Sequence, residues 1–149
     1  MSRAIIIVDH GSTRPAANRM LDEVVALVRG RSGDAVYPAH MEIAEPNLEA
    51  AFDSAVAAGA DFVFIFPYFL SPGQHSREDI PRMCAQAAAR HPGVSWHCCG
   101  PIGPDPLMAD LIVGRVEQCA AQGMKCAQCP DAAFCQHSGD EAEGAREST

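Results

Sequence analysis

The segment DFVFIFPYF, residues 61–69, constrains the fold of this chain more than any other stretch. It is short, apolar and aromatic throughout, as expected for a central strand of a parallel sheet buried on both faces. AIIIVD, residues 4–9, reads the same way: β-branched, continuous and too short for a helix. Each of these strands is followed by a segment of a different period.

After the first strand, Pro15 marks a helix start with Ser12 or Thr13 as the candidate cap. Ala17, Met20, Leu21, Val24 and Val28 then recur at the helical period. AVYPAH, residues 35–40, is a second strand, although Pro38 cannot donate to a ladder. A helix beginning near Pro46 should bury Leu48, Ala51, Phe52, Ala55 and Val56, with Gly59 closing it. A third helix, behind LSPGQHS, aligns Ile80, Met83, Cys84, Ala87 and Ala88. GVSWHCC, residues 93–99, is a fourth strand, and DPLMADLIVGRVEQCA is a last helix with Met108, Leu111, Ile112, Val116 and Cys119 in register.

Strict β-α alternation predicts an α/β domain over residues 1–122: an open parallel sheet of about four strands, right-handed crossovers and helices on both faces. Beyond Gly123 the pattern stops. Residues 123–149 form a cysteine-rich segment and then a polar tail whose composition predicts disorder.

A chain of 149 residues is long enough for one core. The net charge of −8 argues against a general nucleic-acid surface. No apolar run approaches the roughly 18 residues of a membrane span, and the amino terminus lacks a signal-peptide core, so a cytoplasmic protein is expected. In that compartment seven cysteines point to metal binding or thiols rather than disulfides.

In an open parallel sheet, ligands bind outside the carboxyl ends of the strands. His10 ends the first strand, His40 ends the second and His75 lies in the loop after the third. Glu42 and Glu45 follow the second strand. His91 and His97 do not share this placement. Imidazole with carboxylate suits Co²⁺, Fe²⁺, Ni²⁺ or Zn²⁺, and two histidines with one carboxylate leave coordination positions open for exchange or catalysis. His40 could equally be a core residue or a support for the others, and Glu45 a helix-start acid. No G-x-G-x-x-G or Walker loop follows the first strand, and DHGSTR completes no nucleophile elbow.

VDHGSTRPAAN, AHMEIAEPNLEAAF and VFIFPYFLSPGQHSREDIP together resemble the small sirohydrochlorin chelatases of the CbiX/SirB type, over about residues 3–116. The resemblance implies insertion of Co²⁺, or alternatively Fe²⁺, into the tetrapyrrole sirohydrochlorin without ATP, in cobalamin or siroheme biosynthesis. It matches the family's metal-binding histidines to His10 and His75 and its acidic residue to Glu42, which would bind metal or remove pyrrole protons. It also implies a homodimer, since longer relatives carry two such lobes in one chain. For a polycarboxylate substrate, Arg14 and Arg77 in the strand-end loops are the expected sources of positive charge.

Cys126 and Cys129 form a C-x-x-C, with Cys135 after it and Cys119 before it. Four thiolates suit an iron–sulfur cluster or a structural zinc, and the resemblance favours iron–sulfur because some members carry Met-x-Cys-x-x-Cys, as Met124–Cys129 does. Cys98 or Cys99 could replace Cys119, and Cys84 reads as a core thiol. Two other functions fit parts of the pattern: a carrier that holds a tetrapyrrole or metal through the same histidines without turnover, and a small iron–sulfur electron carrier, which would leave the histidine edge without a purpose.

Overall fold

The computed structural model describes residues 1–123. The elements run β1 (Arg3–Asp9), α1 (Pro15–Ser32), β2 (Ala35–His40), α2 (Leu48–Ala57), β3 (Phe62–Pro67), a single π-helical turn (His75–Asp79) leading into α3 (Ile80–Ala89), β4 (Ser95–Cys98) and α4 (Pro106–Ala121). They fall into two compact units, Met1–Pro104 and a second that begins at Asp105 and, among the described residues, consists of α4.

All four strands are parallel, in the order β2-β1-β3-β4. The order follows from the connections. The chain steps from β1 to the edge through α1, then returns past β1 through α2 to lay down β3. Right-handed crossovers in opposite directions put helices on opposite faces. The packing agrees: Leu21 and Val25 of α1 cover Ile7 and Val36, whereas α2 and α3 cover Ala4, Ile6, Val8, Val63 and Ile65. Connections leave β1 and β3 toward opposite faces, so the crevice beyond their carboxyl ends is the switch point of the sheet.

The larger core lies on the α2–α3 side. Phe52, Leu48, Ile80 and Cys84 are fully enclosed there with Ile6, Val8, Val63 and Ile65. Truncating Phe52 to alanine would remove about 3–5 kcal/mol. Asn47 starts α2, its Oδ1 accepting the Ala50 N–H at 2.8 Å, and Gly59 (φ +98°) reverses the chain after it. Pro38 is accommodated because β2 is an edge strand, where an N–H can be missing from the outer side.

Three expectations change. The strand buried on both faces is β1, not β3. In β3, Val63, Ile65 and Pro67 are buried while Phe62, Phe64 and Phe66 are only half-covered, and Phe64 and Phe66 line an apolar hollow of about 430 Å³ with Ile5, Ile7, Val24 and Val28. Second, α1 presents Leu21 and Val25 to the sheet, flanked by Val24 and Val28, and leaves Ala17 and Met20 exposed. Its first turn has no side-chain cap; the Ser12 hydroxyl instead accepts the Arg14 N–H at 3.0 Å, turning the loop before the helix. Third, α4 buries none of its residues, and Leu107, Leu111, Ile112, Val113 and Val116 stand exposed. Its start is nevertheless well defined: Asp105 caps Leu107 at 2.9 Å and Pro106 fills the first helical position.

Candidate metal site at the sheet switch point

The β1–β2 ladder does not stop where the strands do. Met41 N–H donates to the Asp9 carbonyl at 2.8 Å and Glu42 N–H to the His10 carbonyl at 3.2 Å. These two rungs bring Glu42 beside His10, with His10 Nε2 2.9 Å from Glu42 Oε1. Gly11 (φ +89°) makes the approach possible: a Cβ on it would lie 2.0 Å from the Glu42 carbonyl oxygen.

Beneath them, Asp9 Oδ1 accepts the Gly11 N–H at 3.0 Å and lies 2.5 Å from Nδ1 of His40, which is only 2% exposed. His40 is therefore a buried support, one of the roles open to it in the sequence. Asn18 secures the other side of the loop, accepting Ser12 N–H at 2.9 Å and donating to the Ser12 carbonyl at 2.8 Å. Glu45 takes the bland role, accepting the Asn47 N–H at 2.9 Å ahead of α2.

From β3, Tyr68 N–H donates to the Val8 carbonyl at 2.7 Å, and the chain then loops to Gly73. The buried Ser76 pins that loop, its Oγ accepting Gly73 N–H at 2.9 Å and donating to the Gly73 carbonyl at 3.2 Å. The π-helical turn starts at His75, whose ring meets that of His10 edge to face at 5.3 Å between centroids. His75 Nδ1 is also 2.8 Å from Asp79 Oδ2, and Arg82 holds Oδ1 of the same carboxylate at 2.6 Å.

The structure thus brings His10, Glu42 and His75 to one point. Both imidazoles are about half exposed and Glu42 slightly more. No three His, Cys, Asp or Glu side chains among the described residues stand as a ready coordination shell. The arrangement is instead a facing imidazole pair with a carboxylate turned onto one of them. The apolar hollow lies against the sheet face rather than among these three residues. Arg14 stands at the start of α1 and Arg77 on the π-helical turn, both exposed and outside every ion pair among the described residues.

Elsewhere, His91 pairs with Asp53 at 2.6 Å and stacks on Phe52, while His97 lies against Phe64. Cys84 is a core thiol, as expected. Its hydrogen bond with Cys98 and its burial push it far above the ordinary thiol range, and the same bond holds Cys98 below that range. Burial, and then the neighbouring Cys98, push Cys99 up. Cys119 lies near the end of α4, half-buried. Cys126, Cys129 and Cys135, with all the rest of the chain after Gly123, lie outside the described residues.

Sequence reasoning missed Asp9, Asn18, Asp79 and Arg82. Only Asp79 left a readable trace, as the acid four positions after His75.

The family model for CbiX matches residues 4–119. This chain belongs to the CbiX family. Among curated relatives of this CbiX-family chain, the chloroplastic sirohydrochlorin ferrochelatase of Arabidopsis thaliana is 44% identical over 116 residues, 77% of the chain and 52% of the relative. A sirohydrochlorin cobaltochelatase of Methanosarcina barkeri is 29% identical over 122 residues, 76% of the chain and 94% of the relative. Among solved structures, the sirohydrochlorin chelatase SirB from Bacillus subtilis subspecies spizizenii, in complex with cobalt, superposes with a TM-score of 0.74 at 27% identity, covering 79% of the chain and 51% of SirB. The chain spans about half the length of the Arabidopsis relative and of SirB. Among the described residues no helix is long and apolar enough to cross a membrane.

Proposed function

We propose that this chain inserts Co²⁺ or Fe²⁺ into sirohydrochlorin without ATP. The observation that carries the reading is the facing pair His10 and His75 at the switch point, with Glu42 in hydrogen-bond reach of His10. Relatives named for both metals support the reaction class and leave either ion as substrate.

In this reading the two imidazoles present the ion from the floor of the crevice. Entry of a divalent metal into the ring releases two pyrrole N–H protons. Acceptors must therefore come within reach of the pyrrole nitrogens. Glu42 accepts one of these protons, and one of the two histidines or solvent takes the other. The exposed Glu42 side chain turns from His10 to the ring as the histidine takes up metal. Arg14 and Arg77 meet the substrate carboxylates, aided by the amino-terminal end of α1.

A homodimer in which a second copy closes the crevice belongs to the same reading and is checked by sedimentation equilibrium. So does an iron–sulfur centre on Cys119, Cys126, Cys129 and Cys135; anaerobically purified full-length protein without acid-labile sulfide would remove it. A cytoplasmic location rests on the sequence alone.

The deciding experiment follows the anaerobic absorbance of sirohydrochlorin with Co²⁺ or Fe²⁺, with and without protein. Conversion faster than the uncatalysed rate, lost in His10→Ala and in His75→Ala, is the expected result. Binding of the tetrapyrrole without acceleration would make the protein a carrier.

A further inference from the structure

Asp79 engages His75 through one carboxylate oxygen and Arg82 through the other, at 2.8 and 2.6 Å. An exposed pair four residues apart contributes little to stability, so the fold alone does not account for a three-membered chain at this position. What it does fix is a ring orientation. With Nδ1–H donated to Asp79, the neutral imidazole carries its lone pair on Nε2, the nitrogen on the side away from the carboxylate. The other ring near His75 is that of His10.

The local backbone serves the same end. Ile80 N–H closes a wide i+5 turn on the His75 carbonyl, Arg77 N–H bonds to the Gly73 carbonyl, and Ser76 is buried beneath. His75 is therefore held from the backbone below and from Nδ1 on one side. Such single π-helical turns inside helices recur at functional sites. The second unit of the interaction, Arg82, neutralises the carboxylate and keeps it from turning toward an incoming cation.

We infer that Asp79, held by Arg82, is the positioning residue of the metal-binding histidine His75, selecting the tautomer whose Nε2 receives the ion. This deepens the chelatase reading and rests on it for the consequence in turnover, but the tautomer and the metal affinity are measurable without turnover. Asp79 itself does not touch metal or ring. Outer carboxylates of this kind typically change metal affinity by about 10–100-fold when removed.

The test compares wild type, Asp79→Asn, Asp79→Glu and Arg82→Gln. Two-dimensional ¹⁵N–¹H spectra of the imidazoles, recorded above the usual imidazole pKa range, report the tautomer of His75 in the metal-free protein. Titration with Co²⁺ alone, followed by calorimetry, reports affinity. The expected result is an Nδ1–H tautomer in wild type, its loss in Asp79→Asn, and Co²⁺ binding about 10–100-fold weaker, with partial rescue in Asp79→Glu and an intermediate loss in Arg82→Gln. In turnover, Asp79→Asn should raise the Co²⁺ concentration for half-maximal rate while leaving the rate at saturating metal close to wild type. Unchanged tautomer and unchanged Co²⁺ affinity in Asp79→Asn, with its circular dichroism matching wild type, would overturn the inference. Failure of wild type to accelerate metal insertion would remove the chelatase reading while leaving the positioning result standing.

Discussion

Asp9 Oδ1 and His40 Nδ1 meet at 2.5 Å beneath the carboxyl ends of β1 and β2, where His40 is buried and Asp9 keeps only a quarter of its side chain in contact with water. The same oxygen holds the Gly11 N–H, so one carboxylate ties the strand end to the loop that carries His10.

Asp9→Ala strands both donors. It should destabilise the protein by about 2–4 kcal/mol, whereas Asp9→Asn, which keeps an acceptor, should lose less than half of that. Urea denaturation monitored by circular dichroism measures the difference. Equal losses in the two variants would mean that charge, not hydrogen bonding, holds the corner.

Gly11 and Gly59 both have positive φ, yet they differ in surroundings. A Cβ at 59 meets nothing within 4 Å, while one at 11 collides with the Glu42 carbonyl. Gly59→Ala should cost about 1–2 kcal/mol from the left-handed backbone alone. Gly11→Ala should cost about 3 kcal/mol or more and displace Glu42, seen as a loss of chelation out of proportion to the loss of folded protein.

Glu42→Gln keeps the size of the side chain and its reach to His10 but not its basicity. It should lower the chelation rate at saturating metal by about 10²–10⁴-fold while Co²⁺ binding by His10 and His75 persists. Single-turnover absorbance at saturating Co²⁺ gives the rate. A Glu42→Gln variant with wild-type turnover would transfer the proton to one of the histidines.

Cys98 is the thiol to label first. The hydrogen bond from Cys84 favours its thiolate, and the same bond with full burial disfavours ionisation of Cys84. As pH rises from 6, iodoacetamide should modify Cys98 at a pH below the usual thiol range and leave Cys84 unmodified until the protein unfolds. Peptide mapping by mass spectrometry distinguishes them; Cys84 reacting first would mean the shared proton sits on Cys98.

Much of the fold was legible because it is written in short-range pattern. The run in AIIIVD and the spacing of Leu48, Ala51, Phe52 and Ala55 each specify an element and a buried face. That His10 and His75 come to one edge followed from their places after parallel strands, since every such strand ends on the same side. The burial of β3 did not follow, because Phe62, Phe64 and Phe66 look the same in sequence whether or not a helix covers them. The phase of α1 was ambiguous for a related reason: with Met20, Leu21, Val24, Val25 and Val28 all apolar, the sequence offers two overlapping stripes. The supports of the site were hardest to see. Asp9 finds His40, and Asn18 finds Ser12, through the register of strand ends and the path of a loop, and neither distance is encoded in local spacing.

The switch point has one more consequence. The crevice is bounded by two separate pieces of chain, residues 10–14 leaving toward α1 and residues 68–74 leaving toward α3, that depart to opposite faces of the sheet. Neither needs to pack beneath the other. A lineage built on this sheet can therefore lengthen, recharge or reshape one lip of the crevice at a time without renegotiating the strands that keep the histidines in place.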